Sequence, residues 1–185
     1  MEYVDGAALK ILLREGRCVG EFDGNEPEPR WPDDLSSLAG ELDGLFRSNP
    51  FHEQIGVAVE DWGLGWARTR VVPSADLANI IGTAHGGVVV GLADAAFEIA
   101  CNSYGRQCVA VELSAHFLAR GEIGSPLVAD AREISRSARL ASYEVEVRTG
   151  SGTSSPIAAF LALAYRTDLW HLGPDRYPED WKVRH

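Results

Sequence analysis

The stretch Asn79–Gly105 sets what this chain can fold into. It opens on Asn79-Ile80-Ile81-Gly82-Thr83-Ala84-His85-Gly86-Gly87 and continues as Val88-Val89-Val90-Gly91-Leu92-Ala93-Asp94-Ala95-Ala96-Phe97-Glu98-Ile99-Ala100-Cys101. It closes on Asn102-Ser103-Tyr104-Gly105. A turn thus feeds about five helical turns of mostly apolar residues. A helix that is apolar on every side is buried on every side, so the rest of the chain has to wrap it. Two carboxylates, Asp94 and Glu98, interrupt the run. Four residues apart, they share one face, where like charges mildly repel. Carboxylates are rarely buried without a purpose.

The flanking segments supply the wrapping. Ala7–Glu15 predicts a short helix ended by Gly16, and Gly24–Asp34, with its three prolines, predicts a linker. Asp34-Leu35-Ser36-Ser37 offers caps for a helix over Leu38–Arg47 with Leu38, Leu42, Leu45 and Phe46 as its apolar stripe, stopped by Asn49-Pro50. Ile55–Glu60 and Gly65–Val72 predict two strands joined around Trp62-Gly63. Cys108–Leu118, Leu127–Ser135, Ser142–Arg148 and Ile157–Tyr165 predict four more, separated by Gly-, Pro- and Ser-rich breakers. One long helix and six antiparallel strands give an α+β domain, a sheet curled around the helix. This divides the chain into an N-terminal extension (residues 1–50), a central domain (51–166) and a tail (167–185). The tail holds Trp170, His171, Tyr177 and Trp181 without strand or helix periodicity, so it predicts a segment packed on the body or on a second subunit.

Composition removes several function classes. The chain has 185 residues and a net charge of −10, which argues against binding nucleic acid or anionic membranes. The apolar run Val88–Ala96 is far short of a membrane span, and Glu2 and Asp5 stand where a secretory leader would be basic. The three cysteines, Cys18, Cys101 and Cys108, match no zinc spacing, so no metal is expected and a reducing cytoplasm is the simplest setting.

The candidate chemistry lies around the turn. Gly86-Gly87 opens the helix, where backbone N–H groups lack helical partners and sit at the positive end of the helix dipole. They can stabilise a carbonyl becoming an oxyanion, or serve only as a tight turn. His85 beside them, as a neutral ring, can donate to the same carbonyl. Asn79 is a second polar candidate or a turn-former. Asp94 is either a buried carboxylate satisfied by backbone donors or a reactive group. It follows His85 by nine residues, about 13–14 Å along a helix. One helix therefore cannot bring Asp94 to a carbonyl held at its own N-terminus, whereas an antiparallel copy can.

Asn79, Gly82-Thr83, His85-Gly86-Gly87, Leu92-Ala93-Asp94 and Cys101-Asn102-Ser103 together resemble the hotdog-fold acyl-CoA thioesterases of the phenylacetyl-CoA thioesterase (PaaI-like) group. The similarity spans roughly residues 50–166. It implies a hotdog fold and hydrolysis of an acyl-CoA, aromatic or medium-chain, to coenzyme A and a carboxylate. Coenzyme A is then part of the substrate, and no separate cofactor is implied. By the resemblance, Gly86, His85 and Asn79 hold the carbonyl. Asp94 of the facing subunit acts as general base or nucleophile in a homodimer or homotetramer with shared sites. Glu98 is an auxiliary acid or an electrostatic neighbour of Asp94. Phe97 and Phe117 are substrate-binding candidates. Arg120, Arg136 and Arg139 are candidates for the coenzyme A phosphates, although the family's Arg-Pro-Gly stands here as Ala119-Arg120-Gly121. Two other classes remain open: a hotdog enoyl-acyl hydratase or dehydratase, and a non-catalytic acyl-CoA-binding module.

Overall fold

The computed structural model describes residues 29–150 and 154–185. The helix expected over Ala7–Glu15, Cys18 and the first part of the Gly24–Asp34 linker, residues 24–28, lie outside the described residues.

Helix α1 (Ser36–Arg47) buries Leu38, Leu42 and Phe46, three positions of the expected stripe. Leu45 faces outward and is 46% exposed, because it sits a turn-fraction off that stripe. The expected side-chain caps are absent: Leu35 is the N-cap, carried in by a 3₁₀ turn over Asp33–Leu35. Asn49-Pro50 does end α1, but it also starts a second helix, α2 (Pro50–Ile55). The Asn49 carboxamide oxygen accepts the Phe51 N–H at 3.0 Å, and Pro50 takes the first helical position, where its missing N–H costs nothing. Ile55 therefore belongs to a helix and not to a strand.

Strands β1 (Ala58–Gly63) and β2 (Trp66–Val71) form a hairpin. The turn is Leu64-Gly65, with Gly65 at φ +78°, and Trp62-Gly63 is still strand. After the central helix α3 (Gly86–Asn102) come β3 (Arg106–Phe117), β4 (Leu127–Arg136), β5 (Leu140–Thr149) and β6 (Pro156–Trp170). The sheet order is β1-β2-β4-β5-β6-β3, and every neighbouring pair is antiparallel. Alternate residues face α3: Leu127, Ala129 and Ala131 on β4, Tyr143, Val145 and Val147 on β5, Ala158, Phe160, Ala162 and Ala164 on β6. Small residues at many of these positions let the sheet curl closely onto the helix.

The helix is not wrapped on every side. Val88, Val89, Leu92, Ala93, Ala95, Ala96, Phe97, Ile99 and Ala100 are buried, while Gly87, Val90, Asp94 and Glu98 keep solvent contact. Their spacing of three, four and four traces a single open seam along α3. Fully buried Thr69 on β2 donates its hydroxyl to the Leu92 carbonyl at 3.0 Å and fixes the rotation that turns this seam outward. Beside the seam, α2 crosses at Gly91, where an added Cβ would stand 2.9 Å from the Ile55 Cδ1. No helix among the described residues is long and apolar enough to cross a membrane.

The tail is structured, contrary to its lack of sequence periodicity. Strand β6 continues to Trp170, and a short helix α4 (Glu179–Arg184) follows. Trp181 of α4 is buried, stacks on Trp31 at 4.5 Å and donates its indole N–H to the Tyr104 carbonyl at 3.1 Å. Tyr177 fits between Trp31 and Trp170, and Leu38 completes the cluster. Aromatic area, rather than periodicity, holds this segment. Trp181→Ala is expected to cost about 3–5 kcal/mol of unfolding free energy. A lowered urea midpoint with an unchanged slope would show it.

Candidate active site

The loop before α3 is built by Asn79. Its carboxamide oxygen accepts N–H groups from Ile81 and Thr83, both at 3.1 Å, and its Nδ2 donates to the Thr83 hydroxyl at 2.8 Å and to the Ala84 carbonyl at 3.4 Å. All of its hydrogen-bonding capacity is used within the loop. The His85 N–H donates to the Leu77 carbonyl and the Ala84 N–H to the Gly121 carbonyl, each at 2.9 Å, which ties the loop to the body.

His85 is the N-cap of α3. The Gly87 N–H donates to its Nδ1 at 2.8 Å, so Nδ1 is an acceptor and the ring carries its N–H on Nε2. That nitrogen is at the surface, with no partner among the described residues. A Cβ on Gly87 would stand 3.0 Å from His85 Nδ1, so glycine there is what lets the ring fold over the helix end. The amide of Gly86, the first helical residue, has no acceptor among the described residues. The Phe117 ring lies against Gly86, 3.5 Å from where a Cβ would be, and is 55% exposed. Phe51, Ile55, Leu77, Ala78, His85 and Val88 line a cavity of about 280 Å³ beside this helix end.

Further along the seam, the half-buried Asp94 carboxylate has no hydrogen-bond partner among the described residues, backbone donors included. Burial raises its pKa, and the Glu98 charge one turn on raises it further; nearby His52 works in the opposite direction. Glu98 is held from α2: Asn49 Nδ2 donates to both of its oxygens, and His52 Nε2 lies 3.2 Å from one of them.

The remaining candidates separate. Phe97 is fully buried, with its ring centre 5.3 Å from that of Tyr143, so it is core and cannot line an acyl pocket; it lies on the sheet-facing side of α3. Arg136 is mostly buried, 4.0 Å above the Tyr104 ring, 3.4 Å from Glu133 and 3.0 Å from His185 Nδ1. Arg139 pairs with Asp168 at 2.7 Å. Arg120, just after β3, is exposed and has no partner among the described residues. Sequence reading missed Asn49, Phe51 and His52, because Asn49-Pro50 reads as a stop. The same pair is also an N-cap followed by a first-position proline, the signal that would have placed α2.

An unpartnered, half-buried carboxylate costs stability. Folding disfavours the ionised form of Asp94, so wild-type stability falls as pH rises from the unfolded-chain value of about 3.9 through the raised folded value. Asp94→Asn is expected to be more stable than wild type at neutral pH, with the gain vanishing in acid below both values. Urea denaturation at a series of pH values measures it.

Residues 81–155 match the family model of the thioesterase superfamily. A putative esterase of Deinococcus radiodurans is 32% identical over 118 residues, covering 64% of this chain and 80% of the relative. The acyl-coenzyme A thioesterase PaaI of Escherichia coli is 28% identical over 103 residues, covering 56% and 74% respectively. Its structure superposes with a TM-score of 0.66 at 26% identity, covering 72% of this chain and 96% of that one. A variant of the phenylacetic acid degradation protein PaaI of Thermus thermophilus superposes with a TM-score of 0.61 at 33% identity, covering 64% and 100%. With its six-stranded antiparallel sheet, its central helix and these relatives, the chain belongs to the hotdog-fold, PaaI-like thioesterases and is a thioester hydrolase.

Proposed function

We propose that this chain hydrolyses an acyl-CoA thioester, with an aromatic or medium-chain acyl group, in sites shared between two copies. The observation that carries this reading is the placement of two unsatisfied groups on one helix. Among the described residues the Gly86 N–H has no acceptor and the Asp94 carboxylate has no donor. Eight residues separate them, about 12 Å along α3, so one chain cannot apply both to the same carbonyl. A two-fold pair with antiparallel helices applies each to the other's partner twice.

Support for pairing comes from β3. It is an edge strand of 12 residues, and its Val109 and Val111 are more than half exposed. Long uncovered edges with apolar side chains are what folded proteins pair or protect. In this reading the thioester carbonyl accepts from the Gly86 N–H and from His85 Nε2, and Asn79 shapes the loop that presents them. Asp94 of the facing copy takes a proton from water as the water oxygen attacks the carbonyl carbon, or attacks that carbon itself to give a mixed anhydride that water then cleaves. The tetrahedral oxyanion rests on the Gly86 amide at the positive helix end until the thiolate of coenzyme A leaves. Phe117 and the cavity lined by Phe51 and Val88 receive the acyl group, and Arg120, exposed and without a partner among the described residues, is available to a phosphate.

Release of free thiol from phenylacetyl-, hydroxyphenylacetyl-, benzoyl- and straight-chain acyl-CoA tests the reading. Asp94→Asn is expected to abolish turnover while retaining substrate binding. Wild-type binding without turnover on any thioester would replace it with the non-catalytic module. Gly86→Pro deletes the amide at a position where helices accept proline, after a residue already at ψ 138°. It is expected to lower kcat about 10²–10³-fold with little change in Tm. Verified mixed dimers of Gly86→Pro and Asp94→Asn chains should regain turnover at one of their two sites; no recovery would exclude a shared site.

A further inference from the structure

Beyond the C-terminus of α3, about 24 Å along the helix from Gly86, lies a second cavity of about 340 Å³. Four arginines wall it: Arg106 at the start of β3, Arg136 at the end of β4, Arg166 on β6 and Arg184 on α4. No aspartate or glutamate is among its lining residues. The chain as a whole carries a net charge of −10, so this convergence does not follow from a surplus of basic residues.

Arg166 is the residue that needs explaining. It is 5% exposed, and its Nη1 donates to the Ser137 carbonyl. Its Nε and Nη2 have no hydrogen-bond partner among the described residues, and no carboxylate pairs with it there. A buried guanidinium ordinarily meets a carboxylate. Burial and the charges of Arg106 and Arg136 instead hold its pKa below the usual arginine value. The neighbouring carboxylates are already taken. Exposed Asp168 is shared between Arg106 at 3.2 Å and Arg139 at 2.7 Å. Glu133 lies 3.4 Å from Arg136, and Asp180 pairs with Arg184 at 2.6 Å. Five guanidinium groups against three side-chain carboxylates leave two positive charges uncancelled. Burial and the charges of Arg136, Arg184 and Arg166 push the His185 ring on the same wall down to about 4, so it adds no charge at neutral pH.

The C-terminal end of α3 favours a nearby cation, but its half charge fades within a turn and does not balance two. The planar fork of a guanidinium matches the oxygens of a phosphate. We propose that this cavity binds a phosphate-sized dianion, free or as the monoester of a small metabolite, at a site separate from the thioester site. Its oxygens accept from Arg166 Nε and Nη2 and from Arg184, so the bound ion ties α4 to the sheet. Arg166 and Arg184 both lie beyond residues 81–155, the span of the thioesterase match. The proposal does not depend on the role of Asp94.

Calorimetric titration of the full chain with inorganic phosphate and with glycerol 3-phosphate, at constant ionic strength in chloride, tests it. One saturable site per chain is expected for at least one of the two. Tighter binding of the free ion or of the ester names the source, and either result supports the site. Arg166→Met keeps the apolar stem and removes the fork, and it should abolish binding. Arg184→Gln changes an exposed side chain and should weaken binding about tenfold, the worth of one charged hydrogen bond. Arg120→Gln, at the other end of β3, should leave it unchanged. Should Arg166→Met fold poorly, Arg184→Gln decides alone. No saturable heat with either probe overturns the proposal, as does binding that survives Arg184→Gln undiminished or is lost in Arg120→Gln. Phosphate binding that persists with coenzyme A saturating supports a separate site. Its loss would give the cavity to a phosphate of coenzyme A and overturn that separation.

Discussion

The structure depends on an apolar helix that its own sheet covers on all but one seam. Six strands curl around α3 and take Leu92, Phe97, Ile99 and the alanines between them into the core. A sheet from a single chain leaves one line of the helix uncovered, and that line carries Gly87, Val90, Asp94 and Glu98. Burial of the other faces fixes the rotation and depth of the helix, and the Thr69 bond to the Leu92 carbonyl locks both. Asp94 is consequently held half-buried with no donor among the described residues. The helix and sheet supply the free energy that keeps it there.

The two ends of α3 are treated differently. At the N-terminus the side chain of His85 and the glycine at 87 combine into a cap that satisfies one amide and leaves the next one, Gly86, open. At the C-terminus the Asn102 carboxamide oxygen accepts the Cys108 N–H at 2.9 Å and meets His171, and the Trp31–Tyr177–Trp181 cluster packs nearby. The tail beyond β6 therefore stabilises the end of the helix remote from the Gly86 amide. Helix α2, by contrast, lies along the seam itself, where Ile55 and Phe51 meet Gly91 and Asn49 and His52 meet Glu98. It is the element best placed to adjust the site without being part of the sheet.

Some of this was legible in the residues and some was not. The central helix and four of the six strands to within a few residues follow from an apolar run, alternating β-branched segments and two glycines at a helix start. The rotation of the helix did not follow. Phe97 and Asp94 are three apart and look like neighbours in sequence, yet one faces Tyr143 in the core and the other faces out. Arg136 reads as a turn cation, but Tyr104 and His185 converge on it from two distant segments, joined by Glu133 of its own strand. Helix α4 has six residues, too few for periodicity to register, and its one buried side chain is Trp181.

The sequence by itself determined the elements and their chemistry: an α+β chain, a helix too apolar to stand alone, and a carboxylate placed too far along it to serve its own N-terminus. These are local and one-dimensional properties, set by composition, spacing and the 1.5 Å rise of a helix. Only the tertiary structure decided which face of that helix stays open, that Asn79 spends its bonds on its own loop, and that α2 delivers Asn49 and His52 to Glu98. Those outcomes depend on contacts between residues about 50 positions apart, such as Asn49 with Glu98. Their energies exist only once the sheet has closed on the helix.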